Sequence, residues 1–323
     1  MSPALRRGTW ARSEDERVRC AAIAVRFSVV VVTNGRPALV RAAASSVVEA
    51  LPPDGDMIIV DGDRGRSAEG VARALTAFLP GRMHYVASGG GIARQRNVGI
   101  DAASGEVVVL IDDDCTVEPG LFEALAHAYD DTSVVGATGR VWQARRARFG
   151  NSRRIRWLLL GAGQPGTMTG YGHRRPLIDV DRPCDMEYMY GPLMTARRGL
   201  AAQVRFDERL GGYSLCEDDD FSYRLSRNGR IRYVPGAVVH HRESGRQTAD
   251  QRRLERLRVI DRAYMFHKNF PTTPRARVGF ASLILLLCAH RALNGEWSGL
   301  RGLLEGVRDL RRTGPVPESQ RSA

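Results

Sequence analysis

Cysteine is scarce in this 323-residue chain, and its five copies are scattered. Cys20, Cys115, Cys184, Cys216 and Cys288 form neither a CxxC pair nor an even-numbered framework. That excludes a disulfide-stapled secreted scaffold and favours a reducing cytosol. The N-terminus is basic but shows no apolar core followed by a cleavage site, so no secretory leader is expected. The most apolar stretch, SLILLLCA at 282–289, falls short of the ~20 residues a spanning helix needs. It reads as a core helix or, more sharply, as a helix lying in a membrane interface. No GxGxxG follows the first apolar run. The GGG at 89–91 comes after a later strand, where a turn is the commoner use. Lysine is also rare, so the net charge of +12 is almost all arginine. No DNA- or RNA-binding motif accompanies it. Nucleic acid therefore ranks last as an explanation, behind an arginine-rich composition and behind anionic small substrates or an anionic membrane surface.

What is present is enough apolar content, 43%, to bury a sizeable core in one large or two medium domains. Residues 1–24 are polar and Arg-rich and read as a flexible tail. FSVVVV (27–32) reads as a buried strand closed by TNGRP, and PALVRAAASSVVEAL as a helix with proline near its start. DMIIVDGD, MHYVA (83–87) and EVVVLID (106–112) read as further strands, with helices over 67–78 and 92–103. Strands alternating with helices at this spacing predict an α/β fold with a mostly parallel sheet flanked by helices. In such sheets ligands bind beyond the carboxyl ends of the strands. Polar residues gather there: Thr33 and Asn34, then Asp61 and Asp63, then Asp112, Asp113 and Asp114. After residue 130 one more strand is expected in SVVGATGRV and a strand pair in IRYVP and AVVHH. A basic stretch with aromatics covers 142–156, a mobile Gly-rich loop 161–176, and helices run from about 246 to 311.

Three aspartates in a row after a buried strand repel one another unless a cation neutralises them. Hard divalent ions take carboxylate oxygens and leave positions for phosphate oxygens. Asp112 and Asp114 lie two apart and point the same way in extended backbone, so one suits a sugar and the other a metal. The bland alternative is a solvated acidic turn. A second acidic cluster, CEDDDFSYRL (216–225), opens a helix, where Glu217 and Asp218 meet a favourable dipole and Asp220 can pair with Arg224. It is either a capped surface helix or the source of a general base for an alcohol. His240 and His241 at a strand end offer a metal or phosphate ligand.

Taken together, FSVVVVTNGRP, IIVDGD, GIARQRNVGIDAASGEVVVLIDDD, YGPLMTARRGL, FDERLGG, EDDDFSYRL and VVHH resemble, in that order, the inverting family 2 glycosyltransferases with the GT-A fold. The resemblance covers roughly residues 26–245. It implies that Thr33 and Asn34 line a nucleotide pocket and that an acid after the second strand contacts the base. Here Gly62 separates Asp61 from Asp63, and the motif does not choose between them. Arg96 and Asn97 match an RN pair near the donor, and Asp112, Asp113 and Asp114 match the DxD motif. Asp114, with Asp112, would hold the metal, and His240 or His241 would match a late histidine. Asp218 matches the catalytic base, with Gly191 and Glu217 on the acceptor side. Cys216 stands where glycine is common in this family.

The resemblance implies transfer of a sugar from a nucleotide-sugar donor to a hydroxyl acceptor by one metal-assisted displacement, with Mn2+ or Mg2+ as cofactor. The acceptor would be a cell-envelope saccharide, a lipid-linked sugar or a small molecule. The expected layout is a tail over 1–24, a GT-A domain over 25–245 and a C-terminal helical extension over 246–323. The GT-A domain divides into a nucleotide half over about 25–130 and an acceptor half over about 131–245. The extension would serve peripheral membrane docking or a homodimer contact. A cytoplasmic location is expected, at the inner face of the plasma membrane if the extension docks there. Three rivals compete. A sugar-nucleotide nucleotidyltransferase wants a basic Gly-rich loop that TNGRP does not supply. A catalytically silent nucleotide-binding protein would have lost its acids, which are intact here. A charge-driven nucleic-acid binder would show steep salt dependence.

Overall fold

A computed structural model describes residues 25–143, 163–177, 180–211, 214–242, 251–317 and 320. The expected tail over 1–24 and most of the basic stretch 142–156 lie outside the described residues. In chain order, β1 (Phe27–Thr33), α1 (Pro37–Ala50), β2 (Asp56–Asp61), α2 (Glu69–Leu75), β3 (Met83–Ala87), α3 (Ile92–Ala102) and β4 (Val107–Asp112) form the first half. The second half has β5 (Cys115–Val117), α4 (Leu121–Tyr129), β6 (Val134–Gln143), β7 (Cys184–Met186), β8 (Leu193–Arg197), α5 (Arg198–Val204), α6 (Glu217–Ser226) and β9 (Arg230–His241). Three long helices close the chain: α7 (Gln251–Asn269), α8 (Pro274–Leu293) and α9 (Trp297–Thr313).

One sheet runs through the molecule in the order β3-β2-β1-β4-β8-β6-β9-β5, with β7 on β9. The first four strands are parallel, and β8 then joins β4 antiparallel. The sheet expected to be mostly parallel is so in its N-terminal half, and beyond it β6 and β9 are also parallel. β1 is buried along its whole length because helices cover both faces, which is why it is a run of β-branched residues without alternation. Val29 and Val31 pack into one apolar layer, Val30 and Val32 into the other. α1 buries Val40, Ala43, Ala44 and Val47, a single helical stripe. The register pairs Thr33 with Asp61 and Val32 with Asp112, so the polar residues expected at strand ends share one edge.

The strand pair expected from IRYVP and AVVHH is one strand, β9. Its register against β6 jumps from Gly139↔Val234 to Arg140↔Val238. Pro235 has no N–H to give the ladder, and the bulge absorbs the interruption. Gly139 permits this, since a Cβ there would sit 1.9 Å from the Ala237 carbonyl oxygen. Beyond the bulge β9 pairs with β5, setting His241 opposite Cys115.

Glycines also set the C-terminal extension. A Cβ on Gly302 would lie 2.0 Å from the Arg252 carbonyl oxygen, so α9 sits backbone-close on α7. SLILLLCA lies inside the 20-residue α8, so the apolar segment belongs to a helix longer than the stretch itself. By length and composition α8 alone among the described helices is able to cross a membrane, although a core helix of a soluble protein passes the same test. It buries Leu283 and Ile284, while Val278 and Leu285 are exposed.

Candidate active site

The three consecutive aspartates go to three places. β4 ends at Asp112, which takes an ion pair from Arg96 at 3.0 Å. Asp113 turns inward, accepting a hydrogen bond from Thr33 Oγ1 at 2.6 Å and pairing with Arg36 at 2.6 Å. Burial outweighs both partners and pushes its carboxyl up to about 6. Asp114 faces His241 Nε2 at 3.2 Å and Arg36 at 3.5 Å. The alternation of a strand separates the two histidines. His240 is exposed and pairs with Glu118 at 2.5 Å, whereas His241 is the one beside Asp114.

Oxygen of Asp114, sulfur of Cys115 and nitrogen of His241 lie within 4.8 Å of one another. Burial and the aspartates push the Cys115 thiol far above its ordinary range, which disfavours its thiolate form. The remaining carboxylate and imidazole suit a hard to borderline divalent ion, Mn2+ among them, and do not make the thiolate-rich set that selects zinc.

The other predicted donor-side residues frame this edge. Asp61 is buried and accepts hydrogen bonds from the Asp63 and Ala68 amides at 2.9 and 2.8 Å and from the Tyr85 hydroxyl at 3.2 Å. Asp63 accepts from the Gly65 amide and is only partly buried. Gly62 is where Gln95 packs: a Cβ there would meet its Nε2 at 2.2 Å. Asn34 is exposed just past β1. Both ends of the Asn97 amide are taken, by Phe206 backbone and by Glu208, so Asn97 ties α3 to the 206–208 segment.

Arg96 joins this edge to the second acidic cluster. Fully buried, it pairs with Asp112 on one side and Glu217 at 3.2 Å on the other, and its Nη2 also donates to the Gly191 carbonyl at 3.4 Å. The acids Glu217, Asp218, Asp219 and Asp220 fill the first turn of α6, where free N–H groups favour negative charge. Asp220 is structural, held by Arg224 at 2.7 Å and Lys268 at 2.8 Å. Gly191 leaves room in front of Asp218, whose Oδ2 would be 3.2 Å from a Cβ placed there.

The partner of Asp218 was not foreseen. Arg174 binds it at 2.6 Å and also holds Asp219. Arg174 belongs to the Gly-rich segment expected to be a mobile loop. The described segment 163–177 is instead a hydrogen-bonded hairpin: the Thr169 amide donates to His173 O at 2.8 Å, and the Arg175 amide donates to Thr167 O at 2.8 Å. Gly172, at φ 76°, supplies the left-handed turn position. Burial alone would push Asp218 up, but Arg174, with Arg96 behind it, outweighs that and holds it below the usual carboxylate range. Glu217 goes the other way: burial and the charge on Asp218 raise it, and Arg96 offsets only part. Asp218 is therefore the ionised member of the pair. Beside it lies a cavity of about 310 Å³ lined by His173, Arg174, Glu217, Asp218, Arg258 and Arg262, among others. Arg36 was also missed, though its place in TNGRP, just past the end of β1, was a usable signal.

No curated protein matches the sequence at a significant level. Among solved structures, the fold is similar to the mannosyltransferase PcManGT from Pyrobaculum calidifontis in complex with GDP-Man and Mn2+. Identity there is 16% and the TM-score 0.54, over 90% of this chain and 76% of that one. It is also similar to GalNAc-T7 with UDP, GalNAc and Mn2+, at 15% identity and TM-score 0.53, over 75% of this chain and 50% of that one. S. aureus TarS gives 15% and 0.51, over 86% and 54%. The chain thus spans about half the length of the latter two, and identities this low speak to the fold alone. The family model for glycosyl transferase family 2 matches residues 28–203, more than half of the sequence, and the chain belongs to that family of glycosyltransferases.

Proposed function

We propose that the protein transfers a sugar from a nucleotide-sugar donor to a hydroxyl acceptor with inversion at the anomeric carbon. One observation carries this reading: buried Arg96 ties the Asp112–Asp114 edge to the start of α6, so a candidate metal pair and a candidate base share one site. Asp114 and His241 would hold a divalent ion. Bound there, the ion would neutralise charge on a departing nucleotide diphosphate. Thr33, Asp61 and Asn34 border the side where a nucleoside would lie. Asp218, ionised and at a helix N-terminus, accepts the proton of the acceptor hydroxyl as its oxygen attacks the anomeric carbon. Attack from the face opposite the leaving group inverts that carbon in one step. Glu217, raised by burial, is the protonated neighbour and adds no second charge to repel the nucleophile.

The test is a thermal-shift panel of nucleoside diphosphates and nucleotide sugars, each with and without Mn2+, on wild type and Asp114→Ala. A Mn2+-dependent rise with one nucleotide, absent in the variant, is the expected result. It would also identify the base. No rise with any nucleotide would overturn the donor site and revive the silent-fold reading.

A further inference from the structure

The cavity beside Asp218 is lined by two unlike sets of residues. The first turn of α6 contributes acids, and α7 and the 163–177 hairpin contribute Arg258, Arg262 and Arg174. Arg258 and Arg262 are four residues apart on α7 and so lie one above the other on the same face. Like charges at that spacing are mutually unfavourable unless an anion sits between or against them. The fold supplies little. Arg258 Nε lies 2.9 Å from Glu255, without the alignment of a hydrogen bond, and Glu255 is shared with Arg291 at 2.6 Å. Arg262 has no carboxylate within ion-pair distance among the described residues. Its guanidinium donates instead to Nδ1 of His173 at 3.1 Å. His173 is a neutral acceptor: burial, and then Arg262, Arg174 and Arg258, hold its pKa well below the ordinary imidazole value. Burial and the charges of Arg262 and Arg291 likewise lower Arg258. Arg262 also acts at longer range on Asp219, but its hydrogen-bond partner is a neutral ring, and a guanidinium so placed inside a cavity keeps donors to receive an oxyanion.

The geometry points to a subsite among these basic residues, formed by Arg258 and Arg262, for an anionic group (phosphate or carboxylate) carried by the acceptor. The hydroxyl to be glycosylated then lies toward Asp218 and the anionic substituent toward α7. Assignment to the acceptor rests on the transferase reading above; the anion site itself does not. The donor diphosphate is a separate matter, because Asp112, Asp114 and His241 do not line this cavity. An arriving anion also competes with Asp218 for Arg174, which links acceptor entry to release of the base.

The experiment titrates the full chain with inorganic phosphate, glucuronate and glucose at constant ionic strength set with chloride. Melting temperature is followed for wild type, Arg262→Gln, Arg262→Lys and Asp114→Ala. A saturable rise is expected with at least one anion and not with glucose, and the responding anion distinguishes phosphate from carboxylate. Arg262→Gln should weaken that response at least about tenfold, with partial recovery in Arg262→Lys. Asp114→Ala should keep it. Isothermal titration at 20 °C on variants with native circular dichroism removes any effect of altered stability. The site is overturned by no saturable anion response in wild type, by a response equal to that of glucose, by one retained in Arg262→Gln, or by one lost in Asp114→Ala. A silent nucleotide panel together with an intact anion response would sink the transferase reading and leave the subsite standing.

Discussion

The two acidic clusters look alike as sequence, DDD and EDDD, but the fold treats them differently. At the β4 edge the acids diverge: Asp113 is consumed by Thr33 and Arg36, Asp112 by Arg96, and Asp114 faces His241 with Arg36 farther off. At α6 they stay together on one helical turn, and long-range arginines reach them from elsewhere, Arg96 from α3 and Arg174 from the hairpin. A strand end spreads neighbouring side chains to opposite faces, whereas a helix N-terminus gathers them and lowers the cost of their charge. The first arrangement suits a cation held between strands. The second suits a carboxylate kept ionised until a proton arrives.

The sharpest way to break this comparison is to remove one acid from each cluster. Asp218→Asn is expected to lower turnover by about 10²–10⁴-fold, the usual contribution of a positioned base, while leaving the Mn2+-dependent nucleotide response intact. Asp114→Ala should lose both. If Asp218→Asn abolished nucleotide binding, or kept full turnover, the division of labour between the two clusters would be wrong.

Next in size is the tie between them. Arg96 is fully buried, and removing one partner of a buried ion pair leaves charge uncompensated, at a cost of about 3–5 kcal/mol. Arg96→Met is expected to reach that range in chemical denaturation, because it leaves Asp112 without its cation and Glu217 without its hydrogen-bond donor. A loss of less than about 1 kcal/mol, the size of a surface pair, would mean that the two clusters are not electrostatically joined.

How much of this was legible beforehand follows from how local each signal is. The parallel strands, their order of polar ends and the helices between them came from β-branched runs and turn residues, which act over a few positions. The grouping of Thr33, Asp61 and Asp112 followed from strand ends sharing an edge. The choice of His241 over His240 needed the register of β9 after its bulge, which no local pattern encodes. Arg174 was illegible for a stronger reason. Glycine content around it argued for mobility, while the ion pairs that anchor the hairpin are to residues 44 and 45 positions away. Arg258 and Arg262 were hidden likewise, as two among many arginines until α7 placed them on one cavity.

The smallest expected effect is a displacement rather than a loss. In the resting protein Arg174 holds Asp218 below the ordinary carboxylate range, against the upward push of burial. Arg174→Gln removes the cation and leaves the burial, so Asp218 binds its proton more tightly. The acid limb of kcat/KM against pH, which reports the base in the free enzyme, should therefore move to higher pH. Asp219, already raised to about 6 by burial with Arg174 opposing, rises with it, and the two carboxylates then share the site without their common cation. At pH values well above both, turnover in Arg174→Gln should approach or exceed that of wild type, because the base no longer has to be freed from an ion pair. An acid limb that stays in place would mean that the proton is taken by some other group, and the ionised carboxylate at the start of α6 would be a structural anion.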